Sequence, residues 1–400
     1  DYGEPLVNNG EERYRDVGRD GCPDAREDGM GGCRATEDPA AADPNGDDYD
    51  ADTNPRGTEG NWRRDEGEPF DDDGLDGVAG TADFGEGNGA HDMTAGRRRL
   101  YAYDARTKLP GLTPEQLQRL NLLLDGGIRD LFNFGLMSHQ VYGLWRSLRP
   151  DDTKSYRDWT EIPGMDYRGS YRAWGGPWRR APKNLEVLFG KEMPTLEDRL
   201  IGDGDHVGSN SQAVNRIATL YNWVAAQWPS LPRPSTPLGG LGYDQREKIE
   251  WYASAALGAK RGYGVFVPPG YELEENASVR YPVLYLLHGY TGDPRQILPS
   301  AFLADTFMKD TDVQLRPMII VVPSGACCFV QQGTGARDCR EEDDSGAAFV
   351  GRTDWERECV GGNFFMSHVG GSKYEESLLE LMDEIDAKYR TLAPADVTER

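Results

Sequence analysis

Apolar residues in the last third of the chain come in short runs without charge, each cut off by a turn signal. Tyr263–Val267 is stopped by Pro268, Pro269 and Gly270, and Val283–Leu287 by His288 and Gly289. Met318–Val322 is stopped by Pro323. Unbroken Val, Ile and Leu runs of this length predict strands buried on both faces of a sheet. From Ser372 to Arg390 the period changes. Leu378, Leu381 or Met382, Ile385 and Tyr389 recur at helical spacing, with Ser372 as the expected N-cap and Glu375 closing a capping box. Strands followed by a helix in this order predict a doubly wound α/β domain over residues 251–400.

Upstream, residues 97–250 read as helical and irregular, and rich in aromatics. Thr113 caps an expected helix with Pro114 at its first position and Gln116 completing a box; Gly126 and Gly127 end it. A second helical stripe runs through Val214, Ile217, Leu220 or Tyr221, Val224 and Trp228. Between them lies loop-like sequence holding Trp159, Trp174 and Trp178. Together with Trp145, Trp223 and Trp228, these read as packing residues, with a carbohydrate or aromatic-substrate surface as the alternative. "LEVLFG" at Leu185 reads as native sequence rather than a cleavage-tag scar, because Gly190 stands where such a site needs glutamine. Residues 1–96 show neither period.

Charge separates that front segment from the rest. It holds 27 of the 68 acids, 8 of the 44 bases and 18 of the 49 glycines, whereas the remainder has 41 acids against 36 bases. The basic run Arg97–Arg99 is too short for a phosphate-binding cluster, so nucleic acid is not an expected partner. No apolar stretch reaches the roughly 18 residues that span a bilayer. Six cysteines, none at zinc-ligand spacing, fall into two groups. They predict a disulfide joining Cys22 to Cys33, and Cys327 and Cys328 paired with Cys339 and Cys359. An oxidising, extracellular or cell-surface location follows. Asp1 at the start suits a mature, processed chain.

Within the acidic front, Asp16-x-Gly18-x-Asp20-Gly21 with Glu27, and Asp72-x-Gly74-x-Asp76-Gly77 with Asp83, share one spacing, and "GEPL" and "GEPF" precede them. Asp24 lies inside the first. Carboxylates at alternate positions, a glycine at the sixth and an acid at the twelfth are what Ca2+ needs to gather six to eight oxygens from a short loop. Glycine stands at the third position of both, where an EF-hand has an oxygen ligand. Asp43, Asn45, Asp47, Asp50 and Asp52 make a third candidate segment, and Asp83, Asn88 and Asp92 a fourth. The segments resemble the calcium loops of thrombospondin type 3 and related bacterial surface repeats. The contrary expectation is a solvated acidic linker without a fold.

The ordered pieces "GVFVPPGYE", "RYPVLYLLHGYTGD", "MIIVVPSG", "GNFFMSH" and "KYEESLLELMDEIDAKYRT" resemble the esterase-D-like, enterochelin-esterase-like branch of the α/β-hydrolases over residues 255–400. The resemblance implies the front part of that sheet and an ester substrate. It also implies an oxyanion loop in which His288 and Gly289 support the loop and the Tyr290 backbone N–H is the donor. The insert Ala326–Val360 then lies at the rim as a specificity element.

A triad does not follow. No G-x-S-x-G occurs. Ser372 reads as a helix cap, and Ser324 lacks the first glycine. None of His91, His139, His206, His288 and His368 stands after a nucleophile in the order Ser, acid, His. Nucleophile, acid and base are therefore expected beyond Arg400, or on a C-terminal fragment or partner chain produced by cleavage. Two functions fit: a secreted, calcium-stabilised serine esterase, or a catalytically inactive hydrolase-like structural or assembly protein of the cell surface.

Overall fold

The computed structural model describes residues 10–151, 153–156, 183–227, 242–289, 292–309, 315–341, 353–359, 362–363, 365–367 and 370–392. Contacts divide them into two units, one of residues up to Arg216 and one from Ile217 onward.

The first unit joins the acidic region to a small α/β body. Residues 10–93 form loops held by isolated bridges such as Glu11 with Met93 and Tyr14 with Phe70, with one turn of 3-10 helix at Asp24–Arg26. Helices α1 (Ala95–Tyr103), α2 (Ala105–Lys108) and α3 (Pro114–Arg119) follow. The Thr113/Gln116 capping box is present, but α3 stops at Arg119. The expected helix up to Gly126 is corrected here: Leu123–Gly127 is strand β1, parallel to β3 (Asn184–Phe189), which also pairs with β2 (Thr153–Tyr156). The consecutive leucines suit a strand because β3 is buried along its whole length. Helix α4 (Phe134–Leu148) packs Leu144 and the fully buried Trp145 against Leu109, Leu112 and Leu122. Helices α5 (Leu196–Leu200) and α6 (Asn210–Ala226) complete it, α6 dividing between the units at Arg216.

The second unit is a mixed sheet with helices on both faces. After α7 (Tyr243–Arg246), strands β4 (Glu247–Ser254), β5 (Ala259–Phe266), β6 (Val283–Tyr285) and β7 (Ile319–Pro323) lie in the order β4-β5-β7-β6. β6 and β7 are parallel, and the β5 pairs antiparallel. One face of β7, Ile320 and Val322, packs with Phe266, Tyr221 and Val224 of α6, and Ala304 and Phe307 of α9 (Ala301–Lys309). Ile319 and Val321 pack on the other with Tyr263, Leu381 and Ile385 of α10 (Tyr374–Lys388). Burial on both faces is why β7 reads as an unbroken apolar run. β4 is half-buried and alternates, so its period is masked by the charges of Glu247, Lys248 and Glu250. Helix α8 (Pro294–Ile297) follows the His288 loop. A three-stranded antiparallel patch, β10-β8-β9 (Trp355–Arg357, Phe329–Gln331, Arg337–Asp338), forms in the cysteine-bearing insert.

The helix stripe resolves to Leu381 and Ile385, both fully buried. Its expected cap does not hold. Ser372 donates its N–H to Glu358 and its hydroxyl lies 3.7 Å from Cys339 Sγ, while the Ser367 hydroxyl accepts from Glu375 N–H at 3.1 Å. Trp159, Trp174, Trp178 and Trp228 lie outside the described residues.

Candidate functional site

Two places gather chemistry: a cleft in the second unit and the acidic region of the first. The cleft, about 430 Å³, opens where β7 ends in Ser324 and Gly325, beside the turn Gly292–Arg295 and the insert residues Cys327, Phe329 and Arg340. His288 is 9 % exposed behind it. Its Nε2 accepts the Gly325 N–H at 2.8 Å, and its Nδ1 lies 3.0 Å from the Gly289 carbonyl. A neutral ring with the proton on Nδ1 satisfies both contacts, leaving no ring nitrogen for proton transfer. The imidazole therefore ties the loop after β6 to the loop after β7. Room for it requires glycine: a Cβ at Gly325 would stand 2.6 Å from the ring and one at Gly292 3.0 Å. Gly292 N–H closes a turn onto the Gly289 carbonyl. Tyr290, the expected donor, lies outside the described residues, as does His368.

The insert is anchored to the cleft by charge and by sulfur. Arg261, 2 % exposed, pairs with Glu341 at 2.8 Å and donates to the carbonyls of Cys339 and Ala326. Disulfides join Cys327 to Cys359 and Cys328 to Cys339, which settles the pairing left open by spacing; the expected Cys22–Cys33 bond is present too. Among the described residues, no helix is long and apolar enough to cross a membrane. Both findings are compatible with an extracellular protein.

Ser324 is the serine on the cleft wall, and its hydroxyl accepts from Ala326 N–H at 3.2 Å; both nitrogens of His288 are engaged elsewhere. In the first unit, Ser155, Glu186 and His139 meet. Fully buried Glu186 stands between them, taking the Ser155 hydroxyl on one oxygen and lying 3.0 Å from His139 Nδ1 on the other. Serine and histidine are thus bridged by the carboxylate, which is not the serine–histidine–acid order of a triad.

In the acidic region the two spaced segments fold alike and serve one another. Asp16 accepts the N–H groups of Asn61 and Trp62, as Asp72 accepts those of Asn88 and Gly89. Asn61 donates to Asp65, and Asn88 to Asp92. Glu68 then accepts from Gly18 and Asp65 N–H, while Glu12 accepts from Gly74 and Asp92 N–H. Each segment's glutamate thus straps the other's loop. Both glutamates precede their loops by four residues, so the motif is Glu-x3-Asp-x-Gly-x-Asp-Gly, a signal the sequence offers and a search centred on the loops misses.

The third-position glycines acquire a reason. At Gly18, φ is +76° and a Cβ would stand 1.9 Å from Asp47 Oδ2; at Gly74, φ is +74° and it would stand 1.7 Å from Asp83 Oδ1. Gly18 thus leaves room for Asp47 of the third segment, and Gly74 for Asp83, the twelfth residue of its own. Gly18→Ala should cost roughly 2–4 kcal/mol through backbone strain and this collision together, read as a lowered denaturation midpoint.

The remaining candidates separate. Asp20, Asp24, Glu27, Asp43 and Asp47 draw together, with Asp48 and Glu59, which spacing did not single out. Asn45 joins Asp20 and the Glu27 carboxylate through its amide and backbone N–H groups. Asp76 caps its own turn at Val78 and Thr81. Asp50 likewise caps Asp52 and Thr53, and Asp52 faces Arg146 and His139. Burial, reinforced by neighbouring carboxylates, pushes Glu27 up to about 7 and Glu59 to about 8. Glu68, also raised chiefly by burial, reaches about 7.

No family model and no curated protein matches the chain. Among solved structures, it is similar to an S-formylglutathione hydrolase from Agrobacterium tumefaciens, at 15% identity over 36% of this chain and 44% of that one, with a TM-score of 0.24. It is also similar to a ferulic acid esterase, at 24% identity over 37% and 46%, with a TM-score of 0.24. The chain spans less than half the length of either.

Proposed function

We propose that the second unit is the oxyanion-forming part of a secreted ester hydrolase. The observation that carries this is His288, held by backbone groups on both ring nitrogens behind a cleft that Gly292 and Gly325 line. A loop so fixed can keep an amide, at Tyr290, aimed at the oxygen of a tetrahedral intermediate. Such preorganised donors contribute about 3–4 kcal/mol to an acyl-transfer transition state. The chain's own residues position the ester carbonyl and stabilise its developing charge. The serine, acid and histidine come from residues beyond Arg400 or on a partner chain, which also extends the sheet past β6, the outer strand of the described sheet. Ala326–Val360, closed by its two disulfides, shapes the substrate side.

A second reading is an inactive, hydrolase-like assembly protein of the cell surface. Ser324, which has no histidine base at hand among the described residues, favours it. A fluorophosphonate probe applied to the native material decides between them. The esterase reading expects a labelled serine outside residues 1–400. No labelling supports the assembly protein, and labelling at Ser324 would overturn both.

A further inference from the structure

Carboxylates from separate stretches of the acidic region share corners in space. Asp20, Glu27 and Asp47 hold oxygens within 4.8 Å of one another, and so do Asp24, Glu27 and Glu59. Asp24 also groups with Asp43 and Asp48. Clustering alone proves nothing, since acidic groups often crowd on a surface. The hydrogen bonding of this cluster is a separate matter. Glu27 is 0 % exposed; its Oε2 accepts Asn45 N–H at 2.7 Å, but its Oε1 has no donor. Asp47 Oδ1 and Glu59 Oε2 are likewise buried without a donor.

Nearby cations are spent elsewhere: Arg19 pairs with Asp65, Arg26 with Glu37 and Arg34 with Asp38. Among the described residues, none of the clustered carboxylates pairs with Lys or Arg. A buried acceptor with neither donor nor counter-charge is costly and rare in native proteins. Three in one cluster, all carboxyl oxygens, match the preference of a hard divalent cation that takes six to eight oxygens in flexible geometry.

We propose that this cluster binds two Ca2+ ions that share Glu27, one with Asp20 and Asp47 and the other with Asp24 and Glu59. The site is assembled from residues on both sides of the Cys22–Cys33 disulfide, so the ions tie the first acidic segment to the third. It stands independently of the hydrolase reading, because no residue of the cleft takes part.

Equilibrium dialysis of the full chain against Ca2+ and Mg2+, with Glu27→Gln and the exposed control Glu37→Gln, tests it. The wild-type chain and the control should bind Ca2+ in preference to Mg2+. Glu27→Gln should lose at least one bound ion and weaken the remaining affinity about tenfold, since ligand charge sets affinity. In cation-free buffer the same variant should melt no lower than wild type, yet gain less stability than wild type when Ca2+ is added. Terbium emission sensitised by Tyr49, which lies beside Asp48 in the chain, gives a wild-type readout that needs no variant to fold; Ca2+ should displace it. Absence of Ca2+ binding by wild type, or a full complement on Glu27→Gln, overturns the proposal.

Discussion

In cation-free buffer the acidic region should become more stable as the pH falls from 8 to 5, against the usual behaviour of carboxylates. Glu27 and Glu68, 0 % and 2 % exposed, keep their protons up to about pH 7, whereas in the unfolded chain they lose them near 4.5. Between those values the native state binds more protons than the unfolded one, so stability decreases with rising pH. It is fully present below the unfolded value and lost once the folded value is passed. A shift of this size corresponds to at most about 3 kcal/mol per group. Saturating Ca2+ should flatten that slope by the part Glu27 contributes, because protons then compete with the ion for its oxygens. Melting temperatures at pH 5, 6, 7 and 8, with and without Ca2+, give the two slopes directly. A cation-free profile that rises with pH would show that these glutamates are not held protonated by burial.

Arg246→Met should destabilise the second unit by about 3–5 kcal/mol, or roughly 10 °C in melting temperature. Arg246 and Asp305 are 1 % and 3 % exposed and pair at 2.7 Å, with the guanidinium 5.0 Å from the Phe266 ring and a second bond to the Val267 carbonyl. Removing the arginine leaves a buried carboxylate. Lys309 reaches its other oxygen at 2.8 Å but is itself half-exposed, so it offsets only part of the loss. The damage therefore comes from the charge left behind. Arg246→Met combined with Asp305→Leu should recover more than half of it, and a double variant no more stable than the single would refute the account.

The strands β5 and β7 were legible because both faces of each are buried and their apolar runs are continuous. β1 was not: its leucines follow a well-formed helix start, and nothing local distinguishes a continued helix from a strand until β3 is there to pair with it. Ser372 illustrates the same limit. Its spacing to Glu375 fits a capping box, but Glu358 and Cys339 claim it, and Ser367 supplies the cap. His288 was legible as a residue of interest at a strand end, while its attachment to Gly325, 37 positions away, was not.

By itself, the order of residues determined the acidic front, its repeated Asp-x-Gly-x-Asp-Gly spacing, the cysteine groups and the apolar strands of the second unit, since each depends on neighbours within a few positions. Only tertiary structure decided that Glu12 and Glu68 strap each other's loops, that Asp47 and Asp83 occupy the space above Gly18 and Gly74, and that Glu27 is buried among carboxylates with its Oε1 lacking a donor. Those facts depend on groups up to 80 positions apart. A buried oxygen's need for a partner is set by whatever the fold brings to it, and spacing along the chain carries no record of that.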